Sequence, residues 1–366
     1  MTNFLKHTEQ QNTVMKDLFI TKMSVKQDIQ DFDIQEETKR YAWTETSEQR
    51  KKSCLKQIFR PILFMMALSG CYNFSDLNEI VTINRPWTVK MVLSYIYRLV
   101  VFLMLLFMGI RFIVAWFYLP PEYLLMNGLC SVWVLSLMSN FLVSLKASSL
   151  KYGHYEAAFQ LWEEKIIPEY KDLQFKCPVK KITQRVLITT IVACVFIVIN
   201  FAGLTVQVFK FNSGPFFLTP LEVNIYSLVM LQCLLLIATL IWIIPQANAI
   251  IISRTMTKLF QSYNKYLKTA IEEHSTTIQT NLQRLRLLHM DSCKLVSEMD
   301  KDLGWFYGLS FAMNIFLCVF SLYQIMKTEM DTFTLALYIF WFFVGILVIG
   351  ITATFAALLN DEVSKF

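Results

Sequence analysis

Histidine is scarce in this 366-residue chain: His7, His154, His274 and His289 are the full set. None falls in an apolar segment. No HExxH, GxSxG or phosphate-binding glycine loop is present, and no cysteine pair has CxxC spacing. Metal-assisted hydrolysis, nucleophilic catalysis and nucleotide chemistry therefore lack the groups they need. The chain is expected not to be an enzyme and to need no cofactor and no metal. Asp31-Phe32-Asp33 matches a DxD metal signature by letters alone and sits in a polar tail. Asn73-Phe74-Ser75 is a glycosylation sequon placed on the cytosolic side by the topology derived below, so it is expected to stay unmodified.

The remaining chemistry is recognition. Amide, carboxylate, phenol and indole groups interrupt the apolar runs at Asn127, Asn200, Gln207, Glu222, Asn224, Tyr226 and Gln232, and again at Asn314, Gln324, Tyr338 and Trp341. A polar group inside a membrane span costs free energy unless it is paired, so it turns toward other helices or a wet cavity. Amides and carboxylates bind hydroxyls, and aromatic faces cover the apolar side of a sugar ring. Any one of these residues could equally bond helix to helix. Taken together, Asn127, Asn200, Gln207, Glu222, Tyr226, Asn314, Tyr338 and Trp341 form the candidate pocket for a small polar ligand.

The elements that carry them are legible from composition. The chain is 55% hydrophobic with 17% charged residues, against roughly 25% charged in soluble domains. Mean hydropathy is +0.44. Apolar runs at 91–118, 122–145, 185–209, 222–253, 304–326 and 332–359 each exceed the ~20 residues a helical span requires. Backbone groups in lipid must be satisfied within the segment, so these are helices. The fold class is all-α, a polytopic transmembrane helical bundle with long cytosolic helical extensions. Residues 1–53 read as a mobile tail. Residues 54–90 read as an interfacial or re-entrant helix with a linker, since 54–71 is too short to span. Residues 91–359 form the bundle and 360–366 a stub.

Cationic residues orient it. The links 119–121, 210–221 and 327–331 hold at most one lysine each, whereas 146–184 holds seven Lys/Arg, 254–303 eight and 1–90 thirteen. By the positive-inside rule the N-terminus and the long connections are cytosolic. No cysteine lies in an outer link, so no structural disulfide is expected. No basic run is dense enough for nucleic acid. Arg98 and Arg111 lie near the ends of the first span and are expected to snorkel; Pro245 should kink the fourth. The outer Pro120-Pro121 link reads as a tight hairpin. Residues 272–283 read as a flexible break, and 289–324 as one rod running from a charged amphipathic half into an apolar half.

Specific residues of that rod carry a resemblance. His289, Cys293, Leu295, Val296 and Asp300, then Ser310, Phe311 and Asn314, resemble the insect gustatory receptors, especially their sugar-receptor (trehalose-receptor-like) branch, relatives of the odorant receptors. Asn360-Asp361-Glu362-Val363-Ser364-Lys365 is similar to that family's stretch after its sixth helix, and Arg60-Pro61-Ile62-Leu63 to its motif before the first. Ile315-Phe316-Leu317-Cys318 is one residue shorter than the family pattern. The resemblance implies a plasma-membrane protein with a cytosolic N-terminus, assembled as a homo- or heterotetrameric ligand-gated cation channel with a pocket open to the outside. It also implies a seventh, pore-lining helix, so the chain is expected to be C-terminally incomplete. The expected function is a taste receptor subunit binding a small polar ligand, a sugar; a polytopic transporter of a small solute is the alternative.

Overall fold

The computed structural model describes residues 54–77, 88–120, 123–149, 154–166, 168–169, 179–210, 214–272, 276–327 and 330–364. All elements among them are helical: α1 (Cys54–Leu68), a 3-10 turn (Phe74–Asp76), α2 (Val89–Ala115), α3 (Leu124–Ala147), α4 (His154–Leu161) running into a π-helical turn (Trp162–Ile166), α5 (Val179–Lys210), α6 (Gly214–Leu218), α7 (Ile225–Glu272), α8 (Thr276–Lys327) and α9 (Thr332–Ser364). The described residues fall within one unit, Lys52–Phe366. The tail motif Asp31-Phe32-Asp33, His7, His274 and Pro121 lie outside the described residues.

Six helices are long and apolar enough to cross a membrane: α2, α3, α5, α7, α8 and α9. Their starts are written in local chemistry. Thr88 Oγ1 accepts from the Met91 amide at 3.4 Å and caps α2. Asn224 Oδ1 accepts from the Ser227 amide at 2.9 Å, and Ser227 Oγ accepts from the Asn224 amide at 2.9 Å, a reciprocal pair that starts α7. Asp331 Oδ1 accepts from the amides of Phe333 and Thr334, each at 3.0 Å, at the head of α9.

α7 is the hub. It packs against α1, α2, α3, α5, α6, α8 and α9. The reason is its sequence: Leu231, Leu234, Leu235, Ala238, Ile241 and Trp242 make one buried stripe, and from Ile244 to Ala249 the helix is buried all round. The helix runs unbroken through Pro245. α8 is likewise continuous over 52 residues, one rod as its sequence predicts. It resumes at Thr276, inside the stretch expected to be a break.

One face of the 54–71 segment packs into the bundle: Leu55, Ile58, Phe59, Ile62, Leu63 and Met66 are buried and α1 lies against α5 and α7, while Phe64 and Leu68 on its other face are exposed. Glu163 from the π-helical turn accepts the Leu55 amide at 3.0 Å, supplying the anion that a helix N-terminus attracts. α1 ends at Gly70, whose φ of +76° is the left-handed conformation glycine adopts without strain. One expectation needs correction: Arg98 and Arg111 do not snorkel outward. They are 5% and 6% exposed. Arg98 Nη2 donates to Ser148 Oγ at 2.7 Å. Arg111 Nη1 donates to the carbonyls of Phe216 and Thr219 at 3.4 and 3.3 Å, and its guanidinium lies 3.8 Å from the Phe112 ring centroid. Each therefore ties the first span to a neighbouring link. Asn73 of the sequon is fully buried and accepts from Ser94 Oγ at 2.6 Å, so its amide is closed to a glycan for steric reasons.

Candidate functional site

A cavity lies among α3, α5, α6, α7, α8 and α9, toward the end of the bundle that carries the short links. Its lining is Met126, Leu129, Cys130 and Trp133 of α3; Asn200 and Leu204 of α5; Phe217 of α6; Trp242 of α7; Asn314, Leu317 and Ser321 of α8; and Tyr338, Trp341 and Gly345 of α9. No side chain in this set is ionisable as a carboxylate or a cation. The cavity measures about 40 Å³, room for a few waters, whereas ordinary ligand sites span ~300–1,000 Å³.

Its polar groups arrive from separate helices. Asn200 is 1% exposed and spans two neighbours: Nδ2 donates to Thr239 Oγ1 of α7 at 2.9 Å, and Oδ1 accepts from Trp341 Nε1 of α9 at 2.8 Å. Tyr338 meets Trp341 edge to face at 5.3 Å, and Trp133 meets Trp242 the same way at 6.5 Å. Asn314 Nδ2 turns back on its own helix, donating to Ser310 O at 2.7 Å and to Ser310 Oγ at 3.2 Å. Two buried polar atoms of the lining have no partner: Asn314 Oδ1, an acceptor, and Trp242 Nε1, a donor. A buried polar atom left unpaired costs ~1–3 kcal/mol, so both favour any guest with a hydroxyl.

Close packing confines the hollow. A Cβ at Gly345 would sit 2.6 Å from Cys318 Sγ, so only glycine lets α9 approach α8 at this level.

Four of the eight residues expected to form the pocket come together here: Asn200, Asn314, Tyr338 and Trp341. The other four stand apart. Asn127 is buried and donates to the Phe112 carbonyl at 3.0 Å. Gln207 Oε1 accepts from Thr334 Oγ1 at 3.1 Å. Glu222 is exposed ahead of α7, and Tyr226 is 83% exposed in its first turn. Sequence reasoning missed Trp133, Trp242, Thr239 and Ser321. The two tryptophans fall in the same third of their spans, a signal that was readable.

The motif residues have structural posts. His289 meets Phe260 edge to face and Tyr263 at a tilt, with ring centroids 5.9 and 5.5 Å away, and its Nε2 lies 3.4 Å from Cys293 Sγ. Burial holds His289 below the usual imidazole range and pushes the Cys293 thiol up. Ser310 is buried, Phe311 and Asp300 are exposed. At the far end of α9, Asn360 and Asp361 face outward. Glu362 turns inward, accepting from Gln261 Nε2 and Asn264 Nδ2, each at 3.3 Å.

Six membrane-length apolar helices, five of which help line a neutral, aromatic cavity, define a multi-pass helical bundle. Residues 209–365 match the family model described as Trehalose receptor, which is consistent with a member of the insect gustatory receptor family and supports a gustatory or sugar receptor in general terms. The matched stretch holds Trp242, Asn314, Tyr338 and Trp341; Asn200 and α3 precede it. No curated protein matches the chain.

Proposed function

We propose that this chain is a subunit of a sugar-gated cation channel of the taste type, in the plasma membrane, with its N-terminus cytosolic. The observation that carries the ligand class is the pair of orphan atoms in an uncharged hollow: Asn314 Oδ1 and Trp242 Nε1. A sugar presents hydroxyls, which donate and accept, and a C–H face that lies on indole and phenol rings. An ion or a charged amino acid would find no counter-charge. The family description makes trehalose the first candidate.

The cavity, about 40 Å³, is too small for a sugar as it stands. Binding requires α9 to move away from α3 and α5, exchanging the Asn200–Trp341 bond for bonds to ligand. A sugar that binds the widened form alone shifts the population toward it by its differential affinity. The positive-inside pattern puts the short-link end outside, where a tastant arrives. Association into a tetramer with related subunits supplies the shared conduction path.

The experiment is sugar-evoked current in a naive cell expressing the chain with its partner subunits, with surface labelling as the folding control. Asn314→Leu and Trp242→Phe should each move the half-effective concentration up about tenfold, the value of one neutral hydrogen bond. Dose–response curves unchanged in both variants would remove the cavity from the mechanism.

A further inference from the structure

At the opposite end of the bundle, the first turns of α5 and the middle of α7 form a groove. Arg185 and Thr189 line one wall and Arg254, Thr255 and Lys258 the other. Lys181 stands one turn before Arg185. These cations face one another: Arg254 has Arg185 as its charged neighbour, and Lys258 has Arg185, Lys181 and Arg254, with Glu362 the acidic group acting on it among the described residues. The Glu362 carboxylate is engaged by Gln261 and Asn264. Among the described residues, none of the four cations forms an ion pair. Arg254 lays its guanidinium on the Phe355 ring at 4.7 Å, which fixes its plane and leaves its edge donors for another group.

Like charges gathered in one groove repel unless an anion joins them. The site also lies where the polar start of α5 meets its apolar length, and Leu187 and Ile188 just beyond are about half exposed, at 50% and 51%. A ligand suited to both features carries phosphate at one end and acyl chains at the other. We propose that Arg185, Arg254 and Lys258 bind the phosphorylated headgroup of an anionic phospholipid, with Lys181 at its rim and the acyl chains along α5. The enclosed volume is only about 10 Å³, so the headgroup rests on the groove and the lipid packs from the side. The leaflet is the cytosolic one if the orientation proposed above holds, the leaflet in which anionic lipids concentrate. Lipid binding itself requires neither that orientation nor sugar gating, so its failure and theirs are separable.

The test is lipid retention by the full chain, purified in detergent and measured by native mass spectrometry. The probes are phosphatidylinositol bisphosphate, phosphatidylcholine and water-soluble inositol trisphosphate. The bisphosphate lipid should be retained in preference to phosphatidylcholine. The triple variant Arg185→Gln/Arg254→Gln/Lys258→Gln should weaken that retention about a hundredfold, the product of three surface cations, while Lys327→Gln at the other end should leave it unchanged. Should the triple variant elute as aggregate, Lys258→Gln alone should weaken retention about fivefold. Equal retention of both lipids, or full retention by the folded variants, would overturn the site. Inositol trisphosphate bound as tightly as the lipid would overturn the lipid as its source.

Discussion

The two ends of this bundle are held together by different chemistry. At the short-link end, apart from Arg111 on the Phe216 and Thr219 carbonyls, contacts between helices are neutral and surround a hollow: Asn200 with Thr239 and Trp341, Gln207 with Thr334. At the other end they are ionic and close-packed. Lys56, 2% exposed, donates to Glu156 Oε1 at 2.6 Å, and the Tyr72 hydroxyl donates to the same oxygen at 2.7 Å. That carboxylate and burial together push the Tyr72 phenol well above its usual range, burial counting most. His154 lies 3.2 Å from Glu298, which also takes Lys301 at 2.8 Å, and Arg284 meets Glu169 at 3.0 Å. Trp162, at the start of the π-helical turn, is fully buried at this end. Neutral bonds can be exchanged with water or a ligand at little net cost, whereas a buried ion pair is expensive to open. The difference places the adjustable part of the molecule beside the cavity and the fixed part beneath it.

Trp162→Ala is the most damaging change this contrast predicts, about 3–5 kcal/mol of stability for a fully buried indole. Trp341→Ala should cost clearly less, because that ring is partly exposed and borders an existing hollow. Equal losses in the melting of the two purified variants would dissolve the contrast. Glu156→Ala should cost about 3 kcal/mol by removing the carboxylate beside a buried ammonium; Asn200→Ala, between neutral groups, should cost nearer 1 kcal/mol.

Gly345→Ala sharpens the comparison from the hollow side. The added methyl meets Cys318 Sγ at 2.6 Å, and overpacking of this kind costs about 1–3 kcal/mol. Because it pries α9 from α8, it should also lower the sugar concentration needed for current. A rise would show that the widened cavity is not the active one.

The smallest effect concerns pH. The hydrogen bond from Lys301 leads the causes that hold the Glu298 carboxyl below its ordinary value of 4.5. A depressed carboxylate stabilises the fold above its unfolded value, and that contribution is lost as pH falls through the lower folded value. Melting temperature should therefore decline below about pH 4.5, and Glu298→Gln should flatten part of that decline. Identical profiles would detach Glu298 from acid stability.

Much of the architecture was readable because lipid imposes a coarse rule. A span needs about 20 apolar residues, and the six runs that meet it are six long helices here. The continuity of α8 was equally plain, for no glycine or proline interrupts Leu285 to Leu303. The site was only half legible. Glu222 and Tyr226 looked internal because the apolar run was counted from 222, yet Asn224 caps the helix and leaves both at an exposed start. Arg98 and Arg111 looked like snorkelling residues because their partners, Ser148 and the Phe216 and Thr219 carbonyls, lie 50, 105 and 108 residues along the chain. Helix rotation decides such pairings, and periodicity does not encode it. The same ignorance hid which face of α1 meets α5 and α7.

The unbroken course of α8 has a mechanical consequence. At 1.5 Å per residue its 52 residues reach ~78 Å, more than twice the ~30 Å of hydrocarbon. Asn314 and Ser321 sit near one extremity, while His289 and Cys293 sit far along the shaft. A stiff beam of that span acts as a lever: a tilt of ~5° at Asn314 carries the distant tip by roughly 5 Å. Ångström-scale loosening around a guest is thereby magnified where the shaft leaves the membrane.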